Sequence, residues 1–210
     1  MPRLSSITSR KLAGLSLAII RAFNTITRRG SIQNMGEIGS SNNSSACLIS
    51  PYVMMTTASG TGGGTTAGPR VIATSFDPST YTGTVGAPTA VGATGGFSFG
   101  SCQLSSGVAF TTWSQNGTGF CAVITNGGSG TALTKNAEAI FNSTTFTTTA
   151  HCVALSSTLV LITYITNADN FQRIVAVSIS GTTCTVGTPV QLNSVNSSNS
   201  LSAIAALTST

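Results

Sequence analysis

The chain has 210 residues, enough for one domain or one repeat array, and its 40% hydrophobic content is enough for a core. Only 6% of residues are charged, against about 25% in ordinary soluble domains, so Ser, Thr, Asn and Gly carry the solubility and an ion-rich surface is excluded. The net charge of +5 is concentrated at one end: Arg3, Arg10, Lys11, Arg21, Arg28 and Arg29 are six of the nine cations, and the first acidic residue is Glu37.

From the amino end, residues 1–45 read as a basic arm or anchor. Those six cations are its partner-binding candidates, and an acidic protein surface or anionic lipid suits them. Nucleic acid is the weaker alternative, for which six phosphate contacts would give a salt slope of about −5. A solvated tail is the plainest reading of the same charges. RKLAGLSLAIIRAF at 10–23 is too short to cross a membrane, and Arg21 interrupts the apolar run that a cleaved signal segment needs. It stays open as an amphipathic helix, with Leu12, Leu15, Ile19 and Phe23 on one face, or as a strand, because SLAIIRAF resembles QRIVAVSI at 172–179. The strand reading makes 16–41 the outer strands of a unit whose first strand is 203–210, so that the two chain ends close a ring.

Residues 46–210 form a β-repeat domain. CLISPYVMMTT at 47–57, CQLSSGVAFTTW at 102–113 and VALSSTLVLITY at 153–164 are copies of one phrase. Leu104 and Leu155 are 51 residues apart, and three further pairs keep that spacing: Phe120 with Phe171, SGT at 129–131 with 180–182, and FNS at 141–143 with LNS at 192–194. Between the first two copies the spacing is 55 from Ile49 to Leu104 but 50 from Pro88 to Glu138. The excess is an insertion, placed in TGGGTTAG at 61–68. The units are therefore about 46–100, 101–151 and 152–202, with AALTST at 205–210 restarting the phrase in a partial unit from 203. A period near fifty residues belongs to propellers, solenoids or arrays.

Each unit reads as four short strands, in the third copy 153–157, 159–166, 172–179 and 184–192, separated by Ser-Ser, Asn-Ala-Asp-Asn and Ser-Gly-Thr turns. The runs VLITYI, IVAVSI and GVAFTTW bury enough apolar surface to exclude disorder. The fold class is all-β, a propeller-like array of four-stranded units with a basic amino-terminal arm; a β-sandwich is the alternative. With so few lysines, open sheet edges would aggregate, so the edges are expected to be closed or buried against partners.

The repeat resembles the blade repeats of tail, neck and fibre proteins of tailed bacteriophages, in which a phrase close to ALSSTKVLVTY opens each unit and a TPVxLN phrase closes it. Here these are ALSSTLVLITY at 154–164 and TPVQLN at 188–193, and the likeness covers about 47–210. The glycine insertion of the first copy and the proline-free KNAEAIFNS of the second depart from it. MPRLSSITSRKLAGL at 1–15 resembles short anchoring segments of virion proteins. The resemblance implies a structural virion protein, assembled in the host cytoplasm and docked through its arm. Its partners would be other virion proteins and further copies of itself as a homo-oligomer. The alternative is a carbohydrate-binding or adhesin module contacting a host-surface glycan, with Trp113 as the candidate contact beside Tyr164 and Phe171.

No catalytic residue, cofactor or metal site is expected, and an enzyme ranks below both readings. The sole histidine, His151, adjoins Cys152, but neighbours on a strand point to opposite faces and do not form a nucleophile–base pair. Glu37, Asp77, Glu138 and Asp169 are isolated in sequence, which leaves paired acid–base work without support. Asp77 and Asp169 lack the clustered oxygens of a calcium loop, and 61–68 lacks the Lys-Ser/Thr ending of a phosphate loop. Cys47, Cys102, Cys121, Cys152 and Cys184 are odd in number and widely spaced, which argues against a zinc site or disulfide framework. They read as small apolar core residues; Cys102 and Cys121 are candidates for neighbouring strands, though no bridge follows from sequence.

Overall fold

The structure, a computed structural model, describes residues 44–60, 68–80, 82–93, 96–127, 130–143, 146–166, 168–193 and 204–206. The six arm cations and the ring-closing segments, 204–206 excepted, lie outside the described residues. Three antiparallel sheets follow one another along the chain. The first contains β1 (Ser44–Ser50), β2 (Val53–Gly60), β3 (Gly68–Asp77), β4 (Thr82–Val85) and β5 (Thr89–Ala90). The second contains β6 (Gly96–Ser105), β7 (Val108–Gln115), β8 (Thr118–Asn126) and β9 (Leu133–Asn142). The third contains β10 (Phe146–Ser156), β11 (Leu159–Thr166), β12 (Gln172–Ser180), β13 (Thr183–Val186) and β14 (Val190–Gln191). The fold is all-β, built from repeated four-stranded meanders, as the period predicts.

Strands form where β-branched residues alternate, and they end at turns whose chemistry is visible in sequence. Asn116 and Gly117, both at positive φ, make the two-residue turn between β7 and β8; an Asn-Gly pair suits such a hairpin because both central residues must be left-handed. In the first and third units the fourth strand is interrupted, with β4 and β5 pairing along β3 and β13 and β14 along β12. Pro88 and Pro189 stand at the breaks, where a residue without an N–H ends the ladder. The second unit has Glu138 at this place, and β9 runs through as one strand, with register shifts opposite Gly119–Phe120 and Ala122–Ile124.

One of the four sequence anchors is shifted by two residues. Trp113 pairs with Phe120 across β7 and β8, whereas Tyr164, its equivalent 51 residues on, pairs with Arg173 and not with Phe171. Phe171 lies in the longer connection before β12, which replaces the Asn-Gly turn. The next connection compensates: Asn126 opposes Leu133, but Ser180 opposes Thr183. By Lys135 and Val186 the 51-residue spacing is restored.

The sheets stack face to face, with the second in the middle. The core between first and second holds Ile49, Met55, Val71, Ala109, Trp113 and Ile124; that between second and third holds Phe110, Val123, Phe141, Ile162, Tyr164 and Val177. The middle strand β7 therefore alternates between two cores, Ala109 and Trp113 entering one and Phe110 the other. Each large aliphatic side chain so buried stabilises the fold by about 1.5–3 kcal/mol. Phe141 and Tyr164 join the second and third sheets edge to face, with centroids 5.2 Å apart. The first strands of successive units lie side by side, β6 against both β1 and β10, which is the propeller-like feature of the array.

Gly100 sets how closely β6 and β10 approach. A Cβ there would stand 2.9 Å from Thr112 Oγ1 and 3.0 Å from both Ala150 O and Cys152 N. Gly100→Ala is accordingly expected to lower stability by about 1–3 kcal/mol through overpacking, read as a lower urea midpoint. Gly127→Ala, where a Cβ meets open space, is expected to leave the midpoint within about 0.5 kcal/mol.

Candidate functional site

Trp113 is fully buried and stacked on Phe120 at 5.8 Å between centroids, with planes 14° apart. Lys135 Nζ lies 5.2 Å from the centroid of its ring. The indole thus has no face open to a sugar ring, and the expected glycan contact is a core residue. It is buried because the middle sheet is covered on both faces. Tyr164 is likewise in the core, fully buried on the other side of the same sheet.

Beside Trp113 the first and second units enclose a cleft of about 380 Å³ lined by Ala90, Val91, Gly92, Ala93, Gln115, Lys135 and Glu138. Its polar groups are engaged with one another. Lys135 Nζ donates to Val91 O at 2.7 Å and to the Glu138 carboxylate, and Ala93 N donates to Gln115 Oε1 at 3.1 Å. This arrangement ties the outer edge of the first sheet to that of the second. Lys135 and Glu138 hold each other as an ion pair, and no nucleophile stands among the lining residues.

The remaining described carboxylates fasten loops. Asp77 accepts from Ser79 N at 2.8 Å and Ser79 Oγ at 2.6 Å, and these bonds hold its carboxyl down at about 2. Asp169 accepts from both guanidinium nitrogens of Arg173, from Thr166 Oγ1 at 2.6 Å and from Phe171 N at 3.0 Å. The Arg173 bonds, then Thr166, push its carboxyl well below the usual range. Its oxygens are thereby committed to closing the loop before β12. Among the described residues no three His, Cys, Asp or Glu side chains group to hold a metal ion, and no helix is long and apolar enough to cross a membrane.

The cysteines pair across sheets. Cys152 Sγ on β10 donates to Cys102 Sγ on β6 at 3.7 Å. Cys121 on β8 hydrogen-bonds Cys184 on β13, which raises the first thiol and lowers the second. Cys102 and Cys121 themselves are separated by β7 and are not strand neighbours, contrary to the expectation from spacing. The signal for the actual pairing was present: Cys102 and Cys152 both fall in first strands of successive units. Cys47, at the equivalent place in the first unit, is pushed up to about 12 by burial and by Cys102.

Large apolar side chains are among the groups left toward solvent. On the first sheet, Leu48 and Met54 form a cross-strand pair on the face away from the middle sheet; the third sheet exposes Leu155 at its bulge and Val190 on its outer face. These four side chains are between 40% and 59% exposed. The chain matches no protein-family model, no curated protein and no solved structure.

His151 pairs with Thr163 on the outer face of the third sheet, while Cys152 faces the second. Adjacent positions on β10 therefore keep imidazole and thiol apart. Burial lowers the imidazole from its ordinary 6.5, so the unfolded chain takes up this proton first. Stability should be full above about pH 6.5, fall as pH drops through it, and level off once the folded imidazole also protonates. A urea midpoint that falls between about pH 7 and 5 in the parent chain, and is flat there in His151→Asn, is the expected result; the Asp77 contribution is lost only lower, below about pH 4.

Proposed function

We propose that this chain is a structural virion protein of a tailed bacteriophage, held in the particle by packing of its sheet faces on neighbouring subunits and guided there by its basic amino-terminal arm. The observation that carries the reading is the exposed apolar set at the two ends of the stack, Leu48 and Met54 on the first sheet and Leu155 and Val190 on the third. Apolar groups presented by regular sheet faces are the raw material of an assembly contact.

The charge distribution supports the same reading. Among described residues the cations are Arg70, Lys135 and Arg173 and the acids Asp77, Glu138 and Asp169, so the sheet body is balanced. Lys135 pairs with Glu138 and Arg173 with Asp169. Long-range attraction must then come from the six arm cations, and affinity from apolar burial. The resemblance of the opening and closing phrases to phage blade repeats names the kind of particle. Catalysis finds no support in the described polar groups, which are engaged in latches.

Light scattering on the full chain is expected to give a defined oligomer, with loss of residues 1–30 reducing assembly most at low salt. Leu155→Lys with Val190→Lys should raise the dissociation constant at least tenfold, because burying an unpaired ammonium costs more than about 1.4 kcal/mol, while the far-ultraviolet spectrum is retained. A monomer at all concentrations that binds glycans without residues 1–30 would favour the adhesin reading and overturn this one.

A further inference from the structure

Cys102 and Cys152 face each other across a close seam between the second and third units. They sit on β6 and β10, the first strands of the second and third units, which Gly100 allows to run side by side. Gly100 is two residues from Cys102 and therefore on the same face, and its missing Cβ leaves the gap that Cys152 N and Ala150 O occupy. Both sulfurs lie in the core between these sheets, yet neither residue is fully buried by area. Their separation of 3.7 Å exceeds a disulfide bond of about 2.05 Å by a distance that a side-chain rotation with a small strand shift closes.

We propose that Cys102 and Cys152 are an oxidation site: a small-molecule disulfide converts them to an intramolecular disulfide that fastens the second sheet to the third. The step balances by thiol–disulfide exchange. The Cys102 thiolate attacks a disulfide such as oxidised glutathione, forms a mixed disulfide and expels one glutathione thiolate. Cys152 then attacks the Cys102 sulfur and expels the second. Two protein thiols are oxidised, one glutathione disulfide is reduced to two thiols, and the thiol protons end on glutathione. Cys102 is suited to be first because the Cys152 S–H already points at its sulfur. Cys152 is the resolving thiol; its hydrogen bond to Cys102, then burial, raises it well above the ordinary range, so closure is slow at neutral pH and quickens as pH rises. The pair is open in a reducing compartment and closes outside it. This proposal stands on the seam geometry alone and is independent of the assembly reading.

The test is to incubate the full chain with oxidised glutathione at about pH 8.5, alkylate the remaining thiols, digest, and map linked peptides by mass spectrometry. The expected result is a Cys102–Cys152 link within one chain, two of the five thiols lost, and a thermal midpoint raised by roughly 4 °C or more, reversed by dithiothreitol. Cys102→Ser and Cys152→Ser should each abolish the rise, whereas Cys47→Ser should keep it. The link map on the parent chain decides the matter even where a variant fails to fold. Five unreacted thiols, a link confined to Cys121 and Cys184, a link to Cys47, or a link only between chains would each overturn the proposal.

Discussion

The two central strands of the middle sheet, β7 and β8, are covered on both faces, and much of what is unusual about the chain follows from that. β7 sends Ala109, Thr111 and Trp113 into one core and Phe110 and Thr112 into the other. A strand covered on both faces cannot carry Lys or Glu without a large desolvation cost, which explains why a chain of this length manages with 6% charged residues. Polarity enters these cores as hydroxyls that find one another. Thr57 Oγ1 meets Ser101 Oγ at 2.9 Å and Thr111 Oγ1 at 3.0 Å across the first seam, and within the second sheet Gly100 N donates to Thr112 Oγ1 at 3.0 Å. Each such bond contributes only about 0.5–1.5 kcal/mol net. Leaving any of them unmade would cost more, so they fix how the sheets are stacked.

Stacking covers faces but not edges, and the outer edges are blunted by two devices. Low charge creates the need, since a long unpaired strand edge templates aggregation. In the first and third units Pro88 and Pro189 cut the fourth strand into β4 and β5, and β13 and β14, too short to recruit another strand. In the second unit the edge strand is long, and it is bulged and carries Lys135 and Glu138. Lys135 also reaches back to Val91 O of the preceding unit. Edges so shortened or bulged are poor templates for a further strand, and the apolar outer faces are surfaces with something to gain from a partner.

The architecture was legible because a repeat writes its strands several times. Leu104 and Leu155 each fall one position from the end of a first strand, and the spacing locates the second strands, β7 and β11. The two-residue shift at Phe120 was hidden for a physical reason: strand side chains alternate with period two, so a slip of two leaves every inward residue inward. The pattern at 171–179 therefore looks right in either register. Sequence leaves Trp113 open between core residue and glycan contact because an aromatic on one strand looks the same whether its face meets solvent or another sheet, and face-to-face stacking is a long-range fact. The thiol pairing was half visible. First strands of neighbouring units lie side by side, but Cys152 is one position off the repeat equivalent of Cys102, which is Val153, so the pairing depends on the close approach at Gly100.

Function follows from what the titratable groups are already doing. Asp77 closes the turn after β3, Asp169 with Arg173 closes the connection before β12, and Glu138 with Lys135 guards an edge. Asp77 and Asp169, held low by several hydrogen bonds, are poor general acids and weak bases near neutral pH. His151, turned to the outer face of the third sheet and depressed by burial, is uncharged at neutral pH and separated by the strand from the thiol beside it in sequence. Where the described carboxylates serve as latches, the sheet faces are the surfaces left to work with. Those surfaces are sheet faces bearing leucine, methionine and valine, repeated by the same meander that stacks the chain on itself, so the contact that builds the array from its own units is physically the same contact that would add a neighbour to its end.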